Sequence, residues 1–223
     1  MSFCFLLVLV IFGENASLIF GHGRLIDPPS RSTAWRYGFK TPINFDDQEL
    51  FCGGFRNQWY INGGKCGICG DPFNGERRNE LPNGIYAKNL VITRIYNQNS
   101  VIAAKVKLIK NHKGFFVFKL CPARSMQVEV TQECLDSNVL QVVNSREKFK
   151  YILPTRNRGI FTIFLRLPRG LNCERCVLQW TYTASNSYGI CKDGKDREGC
   201  GPQETFRACA DIKIVQKLSN YKR

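Results

Sequence analysis

Cysteine placement constrains this chain most. Ten of its eleven cysteines lie between positions 52 and 209, spread along the sequence rather than clustered. Such a set is a liability in a reducing compartment and a disulfide framework in an oxidising one. The eleventh, Cys4, sits in the apolar run of residues 3–12. That run is too short to cross a bilayer as a helix and matches the hydrophobic core of a secretory signal peptide. The alternatives are a buried strand or a membrane anchor. No Lys or Arg precedes the run, no clean Ala-x-Ala follows it, and Gly21 is the small residue that ends the segment. Cleavage after Gly21 removes residues 1–21, Cys4 included, and leaves ten cysteines, enough for five disulfides with no free thiol. No other apolar segment reaches the roughly 18 residues of a transmembrane helix. The expectation is a secreted, extracellular protein with no membrane anchor.

Two Cys-x-x-Cys pairs, Cys66/Cys69 and Cys173/Cys176, have the spacing of zinc half-sites. Yet 103 residues separate them, against roughly 15–20 in a zinc ribbon. A thioredoxin-type site needs a strand–helix context that is absent. Structural disulfides are expected, with the pairing open.

Residues 22–82 are rich in Gly, Pro, Asn and Cys and read as loops with short helical turns. Residues 83–184 carry most strand signals: Ile102, Ala104, Val106 and Leu108 alternate with other residues, as do Phe161, Ile163, Leu165 and Leu167, and Leu178, Trp180, Tyr182 and Ala184. An aromatic run covers residues 114–120. Residues 185–204 return to Gly and charge, a last strand covers 206–215, and a basic tail, 216–223, is expected to fray. Many short strands of period two, without a sustained helical period, predict a mostly β protein, an antiparallel sandwich with a loop-rich, disulfide-bonded N-terminal region. Trp180 reads as a core aromatic.

The formal charge is +14, with Lys and Arg scattered and no nucleic-acid-binding motif. Such a surface suits solubility or an acidic matrix, and no specific nucleic-acid partner is expected. No Asn-x-Ser/Thr site follows His22.

Only two histidines are present, His22 and His112. As a first residue, His22 offers a free α-amine and its ring Nδ1 to one metal ion. The amine's reference pKa of about 7.7–8.0 lets it shed its proton to a metal near neutrality. A third nitrogen from His112, in a turn between two strand signals, completes a planar set that suits copper better than zinc. The plainer reading of His112 is an ordinary polar turn residue.

Four blocks then carry a resemblance: His22–Phe39 (HGRLIDPPSRSTAWRYGF), Phe51–Phe55 (FCGGF), Cys66–Asp71 (CGICGD) and Gly199–Ile212 (GCGPQETFRACADI). Together they resemble the animal lytic polysaccharide monooxygenases of auxiliary activity family 15, also labelled chitin-binding type-4 domains. The resemblance implies an immunoglobulin/fibronectin-III-like sandwich over residues 22–215, with a copper ion held on a flat face by a histidine brace. His22 and His112 match the two histidines. Phe206 matches the axial residue, where members usually carry Tyr and related bacterial families often Phe. Glu204, two residues earlier, is a candidate acid or hydrogen-bond partner for bound oxygen, or else a surface carboxylate. The implied reaction is oxidative cleavage of crystalline chitin or cellulose. It consumes electrons from an external ascorbate-like reductant, with dioxygen or hydrogen peroxide as co-substrate, and a monomer is expected. Trp35 and Tyr37 are candidates to stack on sugar rings, or core residues. Competing readings are a non-catalytic chitin or cuticle binder of the same fold, and a basic signalling or antimicrobial protein. No carboxylate spacing marks a two-acid glycosidase.

Overall fold

The computed structural model describes residues 22–216. The segment read as a signal peptide, 1–21, and tail residues 217–223 lie outside the described residues. Eleven strands and one short α-helix follow in chain order. They are β1 (His22–Asp27), β2 (Arg94–Asn97), β3 (Val101–Lys110), β4 (Phe115–Pro122), α1 (Gln132–Asp136), β5 (Gln141–Val142), β6 (Tyr151–Ile152), β7 (Gly159–Arg166), β8 (Cys173–Thr183), β9 (Tyr188–Ile190), β10 (Asp196–Glu198) and β11 (Thr205–Val215). Residues 28–93 hold no strand and only two single helical turns, Ala34–Tyr37 and Asn57–Ile61.

Two sheets make the sandwich, in orders β1-β3-β7-β5 and β2-β11-β8-β4-β6, with β9–β10 as a separate hairpin. The alternation foreseen in the sequence builds the core between them. Ile102, Ala104, Val106, Leu108, Ile163 and Leu165 point inward from the first sheet. Phe116, Phe118, Leu178, Trp180, Tyr182, Phe206 and Ala208 meet them from the second. Period two sends every second side chain to one face. One pairing departs from a purely antiparallel sandwich: β2 runs parallel to β11, with Ile212 opposite Arg94. Its partner lies more than a hundred residues downstream, so no local pattern announces the direction.

Strand β8 is buried on both faces from Arg175 to Tyr182. Its outer residues Val177 and Gln179 are covered by α1 and the N-terminal loops. Gln179 Nε2 donates to the Ile68 carbonyl at 2.7 Å and to Gln132 Oε1 at 3.1 Å. A buried amide keeps its cost low only by such bonds.

All ten described cysteines are paired: Cys52–Cys66, Cys69–Cys209, Cys121–Cys134, Cys173–Cys176 and Cys191–Cys200. The first Cys-x-x-Cys is therefore split between two bridges, and the second closes on itself. Cys69–Cys209 closes a span of 140 residues and pins the loop region to β11, the kind of long loop whose closure restricts the unfolded chain most.

A buried ionic cluster lies far along β11 from its Thr205 end. Arg31 Nε meets Asp211 Oδ2 at 2.7 Å and Arg31 Nη1 meets Glu129 Oε2 at 2.6 Å. Arg175 completes the square, with Asp211 at 2.9 Å and Glu129 at 3.2 Å. Two cations and two anions balance, which is what permits their burial.

Candidate functional site

Register along the first sheet brings the two histidines to one end of the sandwich. In the β1/β3 pair, His22 stands opposite Lys110 and Gly23 opposite Leu108, with an irregularity between. His112 follows Lys110 by two residues, in the turn that leads into β4. Gly23 seats this start against the core: a Cβ there would lie 2.6 Å from Leu108 Cδ2 and 3.2 Å from Trp180 Cη2.

The His112 turn is bonded on every side. Asn111 Oδ1 accepts the Lys113 N–H at 2.8 Å, while Asn111 Nδ2 donates to the carbonyls of Thr155 (3.1 Å) and Asn157 (2.8 Å). The His112 N–H donates to the Tyr182 hydroxyl at 3.0 Å, and the His112 carbonyl accepts the Ser185 N–H at 3.1 Å. Lys113 takes φ +56° and Gly114 φ +87°.

The second sheet supplies the other candidates. Phe206 stands opposite Tyr182 in the β11/β8 register and is 1% exposed. Its ring is stacked between Tyr182, with centroids 5.6 Å apart, and Phe51, at 6.2 Å. Glu204 is 6% exposed, which excludes the surface-carboxylate reading, and its carbonyl accepts the Ala184 N–H at 3.0 Å. Burial raises the Tyr182 phenol well above its ordinary pKa. The bond from the His112 N–H and the charge of Arg156 act against this, and the Glu204 carboxylate adds to it. Glu204 is therefore within electrostatic reach of the hydroxyl that holds His112, and that hydroxyl stays protonated near neutrality.

Residues 48–50 close the seam between the sheets. The Gly23 N–H donates to the Gln48 carbonyl at 3.2 Å and the Arg207 N–H to the Leu50 carbonyl at 3.0 Å. Each contact is one residue from a candidate, His22 and Phe206. Trp35 packs edge-to-face on Phe45 at 5.7 Å beneath the Arg36 guanidinium, and Tyr37 is 45% exposed. Neither belongs to the core.

Among the described side chains, no group of three or more His, Cys, Asp or Glu forms a metal cluster. With every described cysteine in a disulfide, thiolate ligation is closed off here. Nitrogen donors are available at this end, from the two histidines and from an α-amine if His22 is terminal. That donor chemistry fits copper.

The sequence profile of the family described as lytic polysaccharide mono-oxygenase, cellulose-degrading, matches residues 22–212. The chain belongs to the lytic polysaccharide monooxygenases. Within them it is of the auxiliary activity family 15 type. It superposes on the lytic polysaccharide monooxygenase of that family from Thermobia domestica, solved in the Cu(I) state, with a TM-score of 0.83. Identity is 42%, over 88% of this chain and all of that one. A more distant likeness, TM-score 0.48 and 14% identity over 86% of this chain and 99% of the other, is to LPMO10B from Micromonospora aurantiaca. No protein of curated function matches the sequence.

Sequence reading of this lytic polysaccharide monooxygenase did not find Tyr182, Asn111 or the 48–50 strap. Asn directly before His112 was the available signal, since Asn commonly bonds the backbone two residues on. Tyr182 looked like any inward residue of a strand.

Proposed function

We propose that this protein is a secreted copper-dependent monooxygenase that cleaves chitin or cellulose oxidatively through a histidine brace. One observation carries the reading: the β1/β3 register sets the main chain of His22 beside Lys110, two residues from His112. His22 and His112 are 90 residues apart in the sequence, and this register supports the reading by bringing their main chains to the same end of the sheet.

With the terminus freed at His22, its amine and ring Nδ1 and one ring nitrogen of His112 would hold the metal. Copper so bound supplies one-electron redox chemistry toward dioxygen or peroxide, with electrons from an external reductant. The protein's own part is to hold and to exclude. The Asn111–Gly114 turn fixes the second histidine before any ligand arrives, which lowers the cost of binding. Phe206 can neither ligate nor exchange a proton, so its side of a metal bound here would be apolar. The buried Glu204 carboxylate, within electrostatic reach of the Tyr182 phenol, would keep a proton or accept a hydrogen bond for the reaction.

The test is a product assay. Protein with a native His22 terminus is loaded with copper and incubated with chitin or with cellulose plus ascorbate, beside protein carrying one extra residue before His22. Oxidised oligosaccharides from the native form alone are expected. Equal products from both forms, or tight copper binding by the extended form, would rule out the brace. Neither products nor copper binding would favour the non-catalytic binder.

A further inference from the structure

His112 has two main-chain polar groups, and the end of β8 takes both. Its N–H goes to the Tyr182 hydroxyl at 3.0 Å and its carbonyl to the Ser185 N–H at 3.1 Å. The ring of the same tyrosine is stacked on Phe206, at 5.6 Å and 24° between planes. One side chain thus touches the peptide of the second histidine with its tip and the candidate axial residue with its face.

We infer that Tyr182 is a positioning residue of the metal site, its hydroxyl fixing the His112 peptide and its ring fixing Phe206 in one mutual arrangement. The inference rests on the copper reading. Asn111 does not take the hydroxyl's place: its Oδ1 accepts the Lys113 N–H, and its Nδ2, a donor, is spent on the 155 and 157 carbonyls. Tyr182 is itself fully buried and closely packed. It lies in β8, flanked by β4 and β11, edge-to-face with Phe116 at 5.3 Å and stacked with Trp180 at 6.3 Å. A turn residue tied to such a strand inherits its rigidity. Phenylalanine at 182 would pack as well but offer the His112 N–H no acceptor, so the hydroxyl has a task that core packing alone does not require. Outer partners of this kind typically change metal affinity by about 10–100-fold.

The experiment compares wild type, Tyr182→Phe and a control, Tyr86→Phe, all with a native His22 terminus. Tyr86 likewise loses a hydroxyl that accepts from an arginine, Arg78 at 3.1 Å. Readouts are the Cu(II) electron paramagnetic resonance spectrum, the copper dissociation constant by competition, and thermal unfolding. Tyr182→Phe should fold, show a changed copper hyperfine pattern and bind about tenfold more weakly, while Tyr86→Phe matches wild type. A folded Tyr182→Phe with unaltered spectrum and affinity overturns the inference, even if its Tm is lower, because the hydroxyl would then serve only stability. If Tyr182→Phe does not fold, hydrogen exchange of the His112 amide in metal-free wild type decides. Strong protection supports the bond, and exchange at the solvent rate overturns it. A wild type that holds no copper overturns the copper reading first and this inference with it, before any variant is compared.

Discussion

Gly114 and Thr183 meet main chain to main chain: a Cβ on residue 114 would lie 2.0 Å from the Thr183 carbonyl oxygen, and residue 114 sits at φ +87°. The His112 turn is thereby pressed onto the end of β8, where Tyr182 and Ser185 receive it. Strand register at one edge and close packing at the other together define where the second histidine can be.

Gly114→Ala adds both a clash and a left-handed strain. The turn must lift from β8, so the variant should lose about 3 kcal/mol of stability in denaturant unfolding. Copper affinity should fall with it, since the His112 N–H can no longer reach Tyr182. A variant of wild-type stability would show that the turn relaxes freely and does not constrain His112.

Asn111→Ala removes three hydrogen bonds at once and leaves the carbonyls of Thr155 and Asn157 and the Lys113 N–H without that side chain. Unsatisfied groups of this kind cost about 1–3 kcal/mol each when fully buried, and partial exposure reduces this to about 2 kcal/mol in all. The expected signature is a modest fall in the unfolding midpoint with a larger loss of copper affinity. Circular dichroism and a copper competition assay measure the two. Equal proportional losses would assign Asn111 to general stability alone.

Much of this arrangement was legible in the sequence, and the illegible part has one physical character. Alternation in β3, β7 and β8 marked the core because period two is a local property. Ten cysteines announced five bridges, although Cys66 and Cys69 going to different partners was not readable. The Arg31 cluster could not be seen, because Arg31 is 98 residues from Glu129 and 180 from Asp211. Gln179 lies between the inward-facing Leu178 and Trp180, and nothing nearby in the sequence says that α1 and the Ile68 loop will cover it. Phe206 was named through the resemblance and Glu204 by its place two residues before it, while the contacts of Tyr182, set by the β4/β8/β11 register, are visible only in the structure. Pairing over long separations decides what the pattern of neighbours leaves open.

Phe206→Tyr places a hydroxyl at the edge of a ring that is packed between Phe51 and Tyr182. The added oxygen is tolerated only if it points toward the histidine end, where polar partners exist. Folding should stay intact, with a stability change within about 1.5 kcal/mol, and, on the proposed copper reading, the Cu(II) spectrum should change because an oxygen would be added beside the metal. An unchanged spectrum in a folded variant would remove Phe206 from the metal's surroundings.

Acid should unfold the protein in part through Glu129. Burial alone would raise its pKa, but the charge and hydrogen bonds of Arg31, with the N–H groups of Leu81 and Val130, outweigh this and hold the carboxyl below its ordinary value. A depressed folded-state pKa contributes stability that is fully present above the unfolded-state value of about 4.3 and is lost as pH falls through the folded-state value. Wild type should therefore lose stability steeply below about pH 4. In Glu129→Gln, Arg31 and Arg175 retain only Asp211 as a counter-ion, so the variant should be less stable by about 3 kcal/mol at pH 7. Its disadvantage should shrink as the pH drops, because wild type then protonates the same group. Urea unfolding at pH 7, 5, 4 and 3 would show the two curves converging. Parallel curves would mean that Glu129 stabilises by shape and hydrogen bonding rather than by charge.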